Sequence, residues 1–216
     1  NKKLSSLVLL SLSSALVLAA CGGEGSTADS SESAGANGSD QVLNLIESAE
    51  IPTMDSVQAT DTVAFTALSN VNEGLYRQGL DGTVELGIAA EDPTVSEDGL
   101  VYTFTIRDEA NWSNGEPVTA ADFVYSWRKL VDPASAASYS YMMDGVIANA
   151  TEIMAGEVAP EELGVKAIDE KTLEITLTSP VPYFKDLLTL AMFFPQNQAF
   201  VEEQGDQYAL SSDALL

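Results

Sequence analysis

Histidine is absent from the 216-residue sequence, and cysteine occurs once, at Cys21. No disulfide can form within the chain. A Cys/His zinc site and every Ser-His or Cys-His nucleophile pair are excluded within these residues. Basic residues are also scarce: 9 Lys and Arg stand against 33 Asp and Glu, a formal charge of -24. Such a surface repels phosphate backbones, so the sequence is read as having no nucleic-acid partner. No glycine-rich phosphate loop and no EF-hand spacing occurs, and no metal or cofactor is expected.

Hydrophobic residues nonetheless make up 45% of the chain, enough for a core. They are unevenly placed. Lys2 and Lys3 precede an apolar run, Leu4 to Leu18, diluted by serines and followed by Ala19-Ala20-Cys21. A basic start, an apolar stretch and small residues before a cut mark a secretory signal, here 1–20. Leu18-Ala19-Ala20-Cys21 resembles the bacterial lipobox, in which the Cys thiol carries acyl chains (palmitate-type lipid). Two such chains hold a protein firmly at a membrane. The expected location is extracytoplasmic, lipid-anchored to the cell membrane through Cys21. Residues 22–40 hold no aromatic residue and no Leu, Ile, Val or Met. With 21–40 as anchor and flexible tether, a Gly/Ser-rich coil of this length spans about 25 Å.

Beyond the tether the pattern is of mixed helices and strands. Gln41 to Ile46 is rich in strand formers. Ala64, Phe65, Leu68, Val71 and Leu75 fall at helical spacing, which predicts a helix from near Asp61. Val101 to Ile106 alternates, with Tyr102, Phe104 and Ile106 on one face. Thr119 to Asp122 resembles a capping box ahead of a helix that Pro133 ends. Leu163–Ile168 and Thr172–Leu177 read as strands joined at Asp169-Glu170-Lys171. Tyr183 to Leu190 and Gln198 to Glu203 read as helices. The fold class is α+β or mixed α/β. The acidic doublets Glu91-Asp92, Glu161-Glu162, Asp169-Glu170 and Glu202-Glu203 fall in turns or on polar faces. They read as solvated surface rather than a glycosidase pair. Trp112 and Trp127 read as core anchors. Tyr139 and Tyr141 leave two readings open: rings packed in the core, or hydroxyls reaching a ligand.

From Asp98 to Pro133 runs an ordered series that includes Tyr102-Thr103-Phe104, Trp112-Ser113-Asn114-Gly115 and Thr119-Ala120-Ala121-Asp122-Phe123-Val124-Tyr125-Ser126-Trp127. Asn72-Glu73-Gly74-Leu75, Gly164 to Asp169 and Pro180 to Phe184 extend it. The series resembles the family 5 extracellular solute-binding proteins, and among them the oligopeptide-binding lipoproteins of oligopeptide permeases. The resemblance implies a non-enzymatic, two-lobe clam-shell fold (periplasmic-binding-protein type II) with an extra domain inserted in the first lobe. Here 41–72 would begin the main lobe, 73–195 form the extra domain, and 196–216 return to the main lobe. Family members are more than twice this length. With Asn1 at one end and an unfinished helical pattern at Leu216, the chain is read as an N-terminal fragment. The second lobe, with the acidic residue that captures a peptide's amino terminus, would lie further on.

The function implied is capture of extracellular oligopeptides, mainly through backbone hydrogen bonds, for the permease and ATPase subunits of an ABC importer. The protein would act as a monomer. The peptide-binding residues implied are Thr60, Asp61 and Thr62, on an edge segment, and Tyr139, after Val131-Asp132-Pro133. Other ligands on the same fold are nickel chelates, haem or oligosaccharides, and a signalling-peptide receptor without transport is a further alternative.

Overall fold

The computed structural model describes Asn44 and residues 46–216, and Ile46–Leu216 forms one structural unit. The signal, Cys21, the tether and most of the Gln41–Ile46 segment lie outside the described residues. Asn44 and Ile46 carry no strand.

Helix α1 (Thr62–Val71) begins where Asp61 caps it: the carboxylate accepts the Ala64 N–H at 2.9 Å. Ala64 and Leu68 are buried, but Val71 is 65% exposed and the helix stops at Asn72. Leu75, expected on the same helical face, instead enters the core from an extended segment. Gly74 permits this. A Cβ there would lie 2.8 Å from the Phe194 ring and 3.1 Å from the Leu188 carbonyl oxygen, so glycine is what lets the chain leave the helix along this path, close against its neighbours.

Strands β1 (Tyr76–Gln78) and β2 (Val84–Leu86) form an antiparallel hairpin, turned at Asp81-Gly82 with Gly82 at φ 81°. A second sheet holds β3 (Thr94–Val95), β4 (Val101–Thr105), β5 (Val165–Ala167) and β6 (Thr172–Thr176), in the order β3-β4-β6-β5 with every neighbour antiparallel. Alternation works as expected on the central pair. Phe104 sits opposite Leu173 and Tyr102 opposite Ile175, and Phe104, Leu173 and Ile175 are all fully buried.

Helix α2 (Ala120–Val131) packs its apolar stripe against β5 and β6. Asp122 accepts from the Thr119 N–H at 2.8 Å, the Thr119 hydroxyl at 3.1 Å and the Trp112 indole at 3.3 Å. Burial raises the Asp122 pKa above the ordinary carboxylate value, and those three donors oppose the rise. Trp127 is the centre of the core, edge-on to Phe123 and Phe193 at 6.3 and 5.5 Å, with its indole N–H donated to the Phe193 carbonyl at 2.9 Å. Each such aromatic pair contributes about 0.5–1.5 kcal/mol beyond area burial. The remaining helices are short: α3 (Ala150–Met154), α4 (Phe184–Leu187) and α5 (Gln198–Gln204). The helix expected over Tyr183–Leu190 is cut to one turn, because the chain bends at Leu190 into a 3-10 turn, Ala191–Phe193, that plants Phe193 and Phe194 in the core.

The two ends of the unit meet. The Met54 N–H donates to the Ala209 carbonyl at 2.9 Å. Beside it lies a buried polar cluster of Asp55, Ser56 and Gln196. The Gln196 amide donates to Asp55 Oδ1 at 2.7 Å and Ser56 Oγ at 2.9 Å. Lys129 Nζ reaches Asp55 Oδ2 at 2.9 Å and Gln196 Oε1 at 3.0 Å, and stands 5.2 Å from the Tyr208 ring centroid. Four distant stretches of chain are thus tied at one point.

Candidate functional site

A cleft of about 1490 Å³ opens along α1. Phe65, Ser69 and Asn72 supply one wall. Tyr139, Tyr141 and Met142 supply the facing one, from the irregular stretch after α2. Thr189 to Met192 and Phe194 line it further along, and Trp112 borders the far side. Trp112, expected in the core, is half-buried, packing against the core with one face while the other borders the cleft.

The walls meet through aromatic edges. Phe65 and Tyr139 stand T-shaped at 5.6 Å, and Tyr139 and Tyr141 are tilted at 5.8 Å. Tyr139 is half-buried, whereas Tyr141 is 58% exposed. The two sequence readings of these tyrosines therefore divide: Tyr139 packs with one face and borders open space with the other, and Tyr141 projects outward.

A charged chain crosses the cleft. Glu73 bonds Arg107 at 2.6 Å and approaches Arg77 at 3.8 Å, and Arg77 pairs with Glu85 at 3.1 Å. The arginine side chains are 43% and 58% exposed, so each pair is worth at most about 1 kcal/mol. Their effect is to fix the side chains and to offset each other's charge. Asn72 Oδ1, also in the cleft wall, is shielded from solvent and has no donor among the described residues.

The edge segment sits at the head of α1. Thr60 and Thr62 are exposed and Asp61 is half-buried with its carboxylate spent on the cap. None of the three lines the cleft, and Phe65, one turn on, is the nearest residue that does. Neither the N–H nor the C=O of Thr60 bonds another backbone group among the described residues. An exposed, unbonded peptide group of this kind can pair with an extended chain. Tyr139 does border the cleft, so the structure joins it to Phe65 directly and to Thr60–Thr62 through α1.

Sequence reasoning placed Phe65 only on a helix face and gave Glu73 no role. The signal for Glu73 was its place in Asn72-Glu73-Gly74-Leu75; its partner Arg107 is 34 residues away and carries no local mark. The acidic doublets are all solvent-exposed. Among them Asp92 is the one held by a cation, pairing with Lys185 at 2.7 Å while accepting the Tyr76 hydroxyl at 2.7 Å. These partners hold its pKa below the usual carboxylate range, while burial pushes the Tyr76 phenol well above its own.

Residues 83–214 match the bacterial extracellular solute-binding proteins, family 5 (middle region), and the chain belongs to that family. It is 40% identical over 164 residues to the dipeptide-binding protein of Lactococcus lactis subsp. cremoris (strain MG1363), covering 76% of this chain and 30% of that one. It is 36% identical over 214 residues to the oligopeptide-binding protein OppA of Bacillus subtilis (strain 168), covering 96% and 39%. Among solved structures it superposes on Listeria monocytogenes OppA bound to peptide with a TM-score of 0.78 and 51% identity, over 81% of this chain and 34% of that one. The chain spans about a third of the length of the relatives it matches. The mixed α/β fold is that of the N-terminal part of these binding proteins.

Proposed function

We infer that these residues form the first jaw of a protein that captures oligopeptides outside the cytoplasm and passes them to the permease and ATPase subunits of an ABC importer. The observation that carries this reading is the cleft edged by Phe65, Tyr139 and Tyr141, with an exposed, unbonded main-chain group at Thr60 in the segment that leads into α1 and Phe65. Main-chain pairing recognises any extended peptide, and aromatic rims contact side chains of many kinds. Relatives named for dipeptides and oligopeptides, and a peptide-bound neighbour, support the same ligand class.

In this reading residues 73–195 are the extra domain of the first lobe, with 41–72 and 196–216 belonging to the main part of that lobe. Thr60, Asp61 and Thr62 offer backbone groups and Tyr139 packs on the ligand. A second lobe closes over them. Cys21 carries the lipid that keeps a monomer at the outer face of the membrane, and no bond in the peptide is broken. Isothermal titration of the full-length protein with a tri- to hexapeptide library tests the whole. Binding is expected, with Tyr139→Ala weakening it about tenfold, as for a central aromatic contact. No binding to any peptide overturns the reading. Detergent-phase partitioning of the expressed full chain tests the anchor: Cys21→Ala should move the protein into the aqueous phase.

A further inference from the structure

The wall that holds Tyr139 has little regular structure to stiffen it. After α2, Asp132 caps a 3-10 turn, Pro133–Ser135, by accepting the Ala134 N–H at 2.8 Å. The turn ends at Ala136 in the left-handed region, φ 49°. That conformation is unfavourable for a residue with a Cβ and persists only where the surroundings hold it. Tyr139 and Tyr141 follow within five residues.

One polar side chain reaches this turn from the segment ahead of α1. Gln58 Nε2 donates to the Ser135 carbonyl at 2.8 Å, across 77 residues of sequence. Gln58 is itself fixed. Its N–H and that of Ala59 both bond the Asp55 carbonyl, at 3.0 and 2.8 Å, and Val57 next to it is buried. No backbone group bonds the Ser135 carbonyl among the described residues. The Gln58 amide is therefore a polar strut from the segment ahead of α1 to the turn ahead of Tyr139, and the Phe65–Tyr139 contact ties α1 to the same stretch by apolar packing.

We propose that Gln58 is a positioning residue for the ligand site: its bond to Ser135 holds the left-handed turn, and so sets where the Tyr139 ring stands relative to the Thr60 edge. It touches no ligand itself. The inference rests on the reading of the cleft as the peptide site. A single strut of this kind corresponds to about a five-fold change in affinity.

The test is a double-mutant cycle in the full-length protein, using the tightest-binding peptide from the tri- to hexapeptide library. Gln58→Leu keeps most of the side-chain volume and removes the donor. It should weaken peptide binding about five-fold when Tyr139 is present and less than about 1.5-fold in a Tyr139→Ala background. A purely structural role would lower the melting temperature and weaken binding equally in both backgrounds, and that result overturns the proposal. So does an unchanged affinity for Gln58→Leu while Tyr139→Ala is weakened. If Tyr139→Ala leaves binding intact, the placement of Tyr139 at the ligand fails first, and the role of Gln58 fails with it. Gln58→Glu, with an acceptor facing the carbonyl, should weaken binding at least as much as Gln58→Leu.

Discussion

Replacing Lys129 by methionine preserves the length of the side chain and removes its charge and donors. Three partners lose Lys129 at once: Asp55 Oδ2 at 2.9 Å, Gln196 Oε1 at 3.0 Å and the face of Tyr208. Asp55 Oδ1 keeps the Gln196 amide and the Val57 N–H, so half of the carboxylate stays satisfied. Breaking a fully buried pair from one side costs about 3–5 kcal/mol. The Lys129 side chain is 20% exposed and that of Asp55 9%, so water reaches part of the site. The expected loss is about 2–3 kcal/mol, or ~5–10 °C in melting temperature for a unit of this size. Urea unfolding of the full-length protein, followed by tryptophan fluorescence, reads it, since Trp112 and Trp127 both lie within this unit. Adding Asp55→Asn to Lys129→Met should recover part of the loss, because the stranded charge goes with it. A Lys129→Met protein within about 0.5 kcal/mol of the parent, or strictly additive effects in the pair, would refute the reasoning.

Other outcomes follow from single contacts. Gly87→Ala places a Cβ 2.4 Å from the Gly74 backbone oxygen, so this variant should lose more than about 2 kcal/mol in a urea melt or fail to accumulate. Trp127→Phe leaves the Phe193 carbonyl without its indole donor and opens space in the core, at a cost of about 2–4 kcal/mol by the same melt. Burial holds the Tyr76 and Tyr208 phenols well above their ordinary pKa, so the folded protein keeps protons that the unfolded chain gives up above about pH 10. Stability should therefore fall as pH rises past that point, and the slope between about pH 9 and about pH 11 should flatten in Tyr208→Phe. The isolated 216-residue piece should bind library peptides only weakly, and a micromolar dissociation constant from titration would contradict the need for a second jaw.

What could be read from the sequence is what is encoded within a few neighbouring residues. Asp61 before α1, Thr119 with Asp122 and the alternation through Phe104 each specify their element locally, and each forms as expected. Helical spacing continues past Asn72 to Leu75, while the packing partner that the chain meets at Gly74 is Phe194, 120 residues later. Asp55 and Ser56 carry no local mark of burial. They are buried because Gln196 and Lys129 arrive from elsewhere, and no window of sequence shows that. The site divides in the same way. Tyr139, which borders the cleft, was singled out by the family resemblance of the stretch after Val131-Asp132-Pro133, whereas Phe65 and Gln58 gain their places only when α1 and the stretch after α2 are brought side by side.

The bond between Met54 and Ala209 has a mechanical meaning. Traction applied at those two points would load that short clasp and its neighbours around Asp55, leaving the sheet and Trp127 slack. The excursion between the two points is a self-contained loop in the path of the polypeptide, shut at its neck. Such a loop can be lengthened, trimmed or exchanged over generations without moving whatever the neck is joined to.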